Sequence, residues 1–336
     1  MRDGIVVAGN MILDVIKKIT RYPPKLSLTP IRSISRAMGG AVCNCSVDLA
    51  ILDPTMRVQA LGFVGDDESG DYILKELGRY PGIDLGMVAK RGQTSFTDVM
   101  TEEATGERTF FTYKGADSLL LPEDFDFARM RASILHIGYI MLLDGLDAED
   151  SHYGTKMARV LHDARQAGLG TSIDVVSEAG DRFGRLVPPS LKYADYCTIN
   201  ETEASMITGV PLRDDQESLI HENLPKACEA LKSMGVAKWA TIHAPEMSAG
   251  IDTDGKYFAL RSLCLPEGFI KGSVGAGDAF VSGVLLTAAR GGSLGEAIEL
   301  GTAVAACSLS EPGATEGVRD LSETMSFYRA QRKLEA

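Results

Sequence analysis

Lys271-Gly-Ser-Val-Gly-Ala-Gly-Asp-Ala-Phe280 runs without a break into an apolar segment that ends near Ala289. Glycines at 275 and 277 let the backbone turn tightly and leave its amides unshielded by side chains. A helix over Ala279 to Ala289 would aim its free N–H groups and the positive end of its dipole into that turn. Such a turn is an anion cradle suited to phosphate. Asp278 places a carboxylate in the mouth of the cradle, and that carboxylate has two readings. It could cap the helix by accepting from orphan amides. It could instead be a base that takes a proton from a nucleophile attacking a phosphate.

Outward from this stretch, the chain reads as alternating strands and helices. Gly4-Ile-Val-Val-Ala-Gly9 is a buried first strand closed by glycine. Asn10 to Met38, interrupted by Tyr22-Pro-Pro24 and Pro30, suits exposed edge strands and loops, and Asp14 lies within it. Gly39-Gly-Ala-Val-Cys-Asn44 leads into a helix through about Leu52, with Asn44 a polar residue on an apolar face. Val58 to Val64 reads as a strand and Ser69 to Tyr80 as its helix. Thr94 to Thr101 and Arg108 to Tyr113 are rich in Thr and aromatics and read as a hairpin, which with residues 12–38 forms a small separate sheet.

From Ser133 onward, Ser133–Gly138, Gly170–Asp174, Tyr196–Ile199 and Trp239–His243 are strand-like. Helical segments near 147–167, 178–187, 201–208 and 216–234 separate them. Further helices run to about Arg290 and from Ser293 to Glu311, and Pro312-Gly-Ala-Thr315 closes the last one before a polar helical tail. This alternation predicts an α/β fold with a mainly parallel sheet and helices on both faces. Ligands in such sheets bind beyond the carboxyl ends of the strands, where Asp174, Asn200 and His243 fall. Asn200-Glu-Thr-Glu203 follows its strand directly, which by itself suits a helix start with a capping Asn and acids facing the dipole.

A chain of 336 residues with 45% hydrophobic and 24% charged residues can bury a large core, in one large domain or two smaller ones. No apolar run approaches the roughly 18 residues of a membrane span. No signal peptide is evident, so the cytoplasm is expected. Cysteines 43, 45, 197, 228, 264 and 307 and five histidines show no zinc-ligand spacing. The net charge of −12 opposes nucleic acid and ATP alike. Anionic substrates would need local relief from helix N-termini, a divalent cation, or cations such as Lys271 or Arg108. After the first strand, Gly9-Asn-Met-Ile-Leu-Asp14 lacks the dinucleotide fingerprint, which disfavours an oxidoreductase, and no Walker A sequence occurs.

Gly272-Ser-Val-Gly-Ala-Gly-Asp278 resembles the C-terminal signature of the ribokinase-like (PfkB) sugar kinases, usually Asp-Thr-x-Gly-Ala-Gly-Asp, with Gly272 and Ser273 departing from it. Gly39-Gly40, Asn44, Leu61-Gly-Phe-Val-Gly-Asp-Asp67 and Gly70 are similar to the N-terminal signature of the same family. The resemblance extends from Gly9 to about Gly317. It implies a kinase core over 1–11, 39–92 and 114–336 and a β lid over 12–38 and 93–113, often the dimer interface. It implies that Asp278 is the base, with the amides of Gly275, Ala276 and Gly277 as anion hole. Asp14, Gly39, Gly40 and Asn44 would contact the sugar, and Asn200, Ser273, Gly275 and Gly277 the nucleotide. Glu203 would hold Mg²⁺ through water, and the loop after the adenine-side helix, within Ala303 to Ala314, often holds a monovalent cation such as K⁺. Ribokinase itself often has Asn two residues before the sugar-gripping aspartate, where this chain has Ile12.

The function so implied is ATP-dependent phosphorylation of a hydroxymethyl group on a ribose- or fructose-like sugar by a homodimer. A nucleoside or a 2-keto-3-deoxygluconate-like sugar acid are the alternative acceptors. A non-catalytic sugar or nucleotide sensor on the same fold is the alternative to an enzyme. No acid-binding arginine cluster stands out, which favours a neutral sugar.

Overall fold

The structure, a computed structural model, describes residues 3–177 and 180–335. Its first strands are β1 (Ile5–Gly9), β2 (Ile12–Ile19), β3 (Ile31–Gly39), β4 (Val58–Val64) and β5 (Ile83–Lys90). Next come β6 (Ser95–Glu102), β7 (Arg108–Tyr113), β8 (Ile134–Ile140) and the two-residue strands β9 (Glu149–Asp150) and β10 (Gly154–Thr155). The last are β11 (Gly170–Val175), β12 (Tyr196–Asn200), β13 (Trp239–His243), β14 (Met247–Ile251) and β15 (Tyr257–Arg261). The helices begin with α1 (Ala41–Leu52), α2 (Glu68–Leu77), α3 (Asp144–Asp147), α4 (Lys156–Gln166), α5 (Phe183–Leu186) and α6 (Pro188–Leu191). They end with α7 (Glu201–Thr208), α8 (Leu224–Ser233), α9 (Ala276–Ala289), α10 (Leu294–Ser308) and α11 (Leu321–Glu335).

Nine strands form one sheet in the order β15-β14-β13-β12-β11-β8-β1-β4-β5. It is parallel from β13 to β5, and β14 and β15 add an antiparallel edge. β1 lies between β8 and β4 with every residue buried, because helices cover both faces. Ile5 and Val7 join one core with Val47 and Leu285, while Val6 and Ala8 join the other with Ile137 and Leu161. Burial on both faces is why this strand reads as an unbroken apolar run. The alternation of strand and helix thus predicts the sheet correctly, although it passes over β5, β14 and β15. β5 and β15 are edge strands and β14 is next to an edge, and Gly86, Gly250 and mixed polar residues blunt the pattern there.

Four helix boundaries differ from expectation, the first three for a local reason. The helix expected near 147–167 begins only at Lys156, where Thr155 accepts the Ala158 amide as cap, because Glu149 to Thr155 forms the β9–β10 hairpin. The segment expected at 178–187 becomes α5 and α6, the second opened by Pro188-Pro189; residues 178–179 lie outside the described residues. The helix expected from 216 starts at Leu224, with Pro225 in its first turn. The helix after the glycine loop starts earlier than expected, at Ala276 rather than Ala279, which puts Asp278 in its first turn.

A second, four-stranded sheet has the order β3-β2-β6-β7. β2 pairs parallel with β6, and the other two pairs are antiparallel. Leu28, Ile34, Phe110 and Phe111 are exposed on this sheet and its loop. Among the described residues no helix is long and apolar enough to cross a membrane.

Candidate active site

Two helix starts meet at the carboxyl edge of the main sheet. α1 begins after Gly40, whose φ of 86° brings its Cα against Asn10; a Cβ there would lie 2.6 Å from the Asn10 carbonyl oxygen. Asn10, buried at the end of β1, accepts the Ala41 amide on its side-chain oxygen and the Val42 amide on its carbonyl. It therefore fixes where α1 starts, although the sequence reading gave it no role.

α9 begins after Gly275, which has φ 76° and a start with no side-chain cap. A Cβ on Gly275 would lie 2.4 Å from the Ala314 carbonyl oxygen, and one on Gly272 2.8 Å from that of Pro312. The two loops therefore lie backbone to backbone, and glycine at 272 is what that approach requires. Uncapped first-turn amides in such a turn, other than that of Ala276, are free for an anion. Ser273 lies exposed on the loop, with its carbonyl taking the Ala276 amide. Lys271, considered as a cation for phosphate, instead pairs with Glu311 at 3.0 Å.

Asp278 is 4% exposed. Its Oδ2 accepts Asn44 Nδ2 at 2.8 Å and its Oδ1 accepts the Tyr139 hydroxyl at 2.5 Å. The carboxylate is therefore held by side chains of α1 and β8 rather than by helix amides, so the capping account of Asp278 does not hold. Burial pushes its pKa up, while the donors Tyr139, Asn44 and Cys45 pull it down. Asn44 was expected to serve a ligand hydroxyl. In the structure its amide group serves Asp278, and its buried Oδ1 has no partner.

Asp14 lies on β2, with Oδ2 only 2.4 Å from where a Cβ on Gly39 would stand. Its pKa is pushed up to about 6, chiefly by burial and further by Asp278, against the pull of Arg108. Asp14, Asn44 and Asp278 therefore share one site, drawn from β2, α1 and α9. His243 packs its ring against Phe280, with centroids 5.0 Å apart, below Gly277. Burial holds its pKa down at about 4, so it is a neutral packing residue.

Asn200 and Glu203 form a complete capping box at the start of α7. The Glu203 carboxylate accepts the Asn200 amide at 3.0 Å and the Ser177 hydroxyl at 2.8 Å. Burial pushes the Glu203 pKa up to about 7. Beside it Asp174 is pushed well up by burial, then by Glu203 and Asp278. Asp174 thus links Glu203 electrostatically to Asp278, although no hydrogen bond joins the two ends. Crowded buried carboxyls of this kind suit a divalent cation. Among the described residues no group of three or more His, Cys, Asp or Glu could hold a metal.

Tyr139 is the site residue that the sequence reading missed. Its signal was available: a tyrosine at the carboxyl end of a buried central strand, where such sheets bind ligands.

The family description "pfkB family carbohydrate kinase" matches residues 2–321. The chain is 26% identical over 317 residues to an ATP-dependent ribose-1-phosphate kinase of Halopiger xanaduensis, covering 92% of this chain and 93% of that one. It is 27% identical to a 2-dehydro-3-deoxygluconokinase of Bacillus subtilis, covering 91% and 90%. In fold it is similar to an Arabidopsis thaliana ribokinase complexed with ribose and ATP, with TM-score 0.80, 21% identity and coverage of 98% and 99%. A Thermotoga maritima ribokinase gives TM-score 0.78 at 18% identity, covering 97% and 99%.

Proposed function

Because the chain belongs to the pfkB family of carbohydrate kinases and has the ribokinase-like fold, we propose that it transfers the γ-phosphoryl group of ATP to a hydroxymethyl group of a small ribose- or fructose-like sugar. The observation that carries this reading is a buried carboxylate in the first turn of a helix whose amides have no side-chain cap. Asp278 takes the proton of the acceptor hydroxyl. The amides of Gly275, Ala276 and Gly277 stabilise charge on the phosphoryl group as it moves. Asp14, Gly39, Gly40 and Asn44 bind the sugar, with the free Oδ1 of Asn44 accepting one of its hydroxyls. Asn200 and Ser273 lie on the nucleotide side.

Glu203, with Asp174 beside it, would hold Mg²⁺ through water, which would supply neutralisation of phosphate charge. The meeting of segments 271–275 and 312–314 is where a monovalent cation such as K⁺ would bind. Residues 12–38 and 93–113 serve as a lid that excludes water from the transfer. Its exposed apolar side chains support a homodimer formed through that sheet. Six free cysteines suit the reducing cytoplasm.

The test is ADP formation with Mg²⁺ and ATP across ribose, fructose, 2-dehydro-3-deoxygluconate, ribose 1-phosphate and nucleosides, with and without K⁺. A neutral sugar is expected to give the highest kcat/KM. A sugar acid or nucleoside ahead of it would overturn the acceptor assignment. Sugar binding without any ADP formation would point to a sensor.

A further inference from the structure

Tyr139 lies at the end of β8, next to Gly138, which pairs with Gly9 of β1. Its phenol is kept neutral, because burial and the carboxylates of Asp278 and Asp174 push its pKa well up. It is therefore a hydrogen-bond donor across the working pH range. Each carboxylate oxygen offers two lone-pair directions. On Asp278 the phenol takes one on Oδ1, where the Cys45 thiol also approaches at 3.9 Å. The Asn44 amide takes one on Oδ2 at 2.8 Å. One direction on Oδ2 stays open, next to the unpartnered Oδ1 of Asn44. Without the phenol, only the Asn44 amide and the long thiol contact from Cys45 would restrain the carboxylate about its own Cβ–Cγ bond.

We propose that Tyr139 is a positioning residue for the phosphoryl-transfer base: its hydroxyl pins Oδ1 of Asp278, so that Oδ2 faces the acceptor hydroxyl beside Asn44. This rests on the kinase reading above. In the transfer the acceptor O–H proton passes to Oδ2, and the acceptor oxygen bonds to the γ-phosphorus. The bond from that phosphorus to the ADP oxygen breaks, while Tyr139 keeps its proton throughout. The titratable groups facing Asp278 are Asp14 from β2, Cys43, Cys45 and Asp48 from α1, Asp174 from β11 and Tyr139 itself from β8. Among the others only the Cys45 thiol also donates to Asp278, and at 3.9 Å it is a much weaker donor than the phenol at 2.5 Å.

Tyr139→Phe keeps the ring and removes only the donor. Protein labelled with ¹³C at the aspartate carboxyls lets Asp278 be followed directly by NMR, with Asp278→Asn supplying the assignment. In Y139F the Asp278 carboxyl should titrate about one pKa unit higher, on the order of one hydrogen bond to a charged acceptor. The acid limb of kcat/KM should move up with it, and kcat should fall about tenfold with the sugar KM within about twofold. Site-specific 3-fluorotyrosine at 139 preserves the fold and is a stronger donor, so it should move the titration the other way. An Asp278 titration unmoved in both proteins overturns the proposal. So does a raised sugar KM with no titration shift, since Tyr139 would then bind the acceptor. If the parent forms no ADP with any acceptor, the kinase reading fails, and the NMR arm still decides what Tyr139 does to Asp278.

Discussion

At Asp278 burial and hydrogen bonding act on the same carboxyl in opposite directions. Asp278→Asn keeps the shape and removes the proton acceptor. With its best sugar, kcat should fall by roughly 10²–10⁴-fold, about 3–5 kcal/mol of barrier, the usual contribution of a positioned base. Sugar affinity should hold, since Asp14 and the free oxygen of Asn44 are untouched. An unchanged kcat with chemistry rate-limiting would sink the mechanism. One turn along α1 from Asn44, Asp48 is fully buried, with only the Ser282 hydroxyl beside it working to lower its pKa. Burial, then Asp278, pushes its pKa well up. A carboxyl with a raised folded-state pKa stabilises the fold fully below the unfolded value, about 3.9, and progressively less as pH rises toward the folded value. Asp48→Asn cannot ionise. Its urea-unfolding free energy should therefore gain on the parent's by up to about 1.4 kcal/mol per pH unit from pH 5 upward. A gap that stays constant with pH would show that Asp48 does not titrate on unfolding.

At the scale of elements, one residue of α7 has two possible jobs. The capping box of Asn200 and Glu203 is complete, so the structural job is certainly performed. Glu203→Gln retains most of the cap, yet it should raise the Mg²⁺ concentration needed for half-maximal rate while leaving sugar affinity nearly unchanged. If metal dependence matches the parent's, Glu203 is only a cap. The start of α9 depends on Gly275 in the left-handed region, against Ala314. Gly275→Ala adds a Cβ where the neighbour is backbone and cannot yield. The expected result is a loss of about 1–3 kcal/mol of stability together with weaker ATP binding, read by thermal melts and nucleotide titration.

For the whole molecule, the small sheet leaves apolar side chains to be covered. Leu28 is 90% and Phe111 49% exposed, and with Ile19, Ile31 and Met100 they line one hollow of about 400 Å³. Sheets with such faces and open edges are covered in stable proteins. The protein should therefore sediment as a dimer at micromolar concentration, and Leu28→Glu with Phe111→Glu should shift it to the monomer. A monomeric mass for the parent would remove the dimer assignment.

Regular patterns along the chain were enough to show a mainly parallel sheet with helices on both faces and the tight glycine turn before α9. These depend on periodicity and on the backbone freedom of glycine, both local properties. The order of the nine strands and the pairing of β2 with β6 were decided by contacts between distant segments. So was the environment of Asp278. Tyr139 lies 139 positions away from it and Asn44 lies 234 away, and no local pattern links such positions. The sequence offers a carboxylate with two readings, and only folding brings the phenol and the amide onto its two oxygens. Those donors replace the helix amides a cap would use, and the surrounding burial sets the proton affinity of the group.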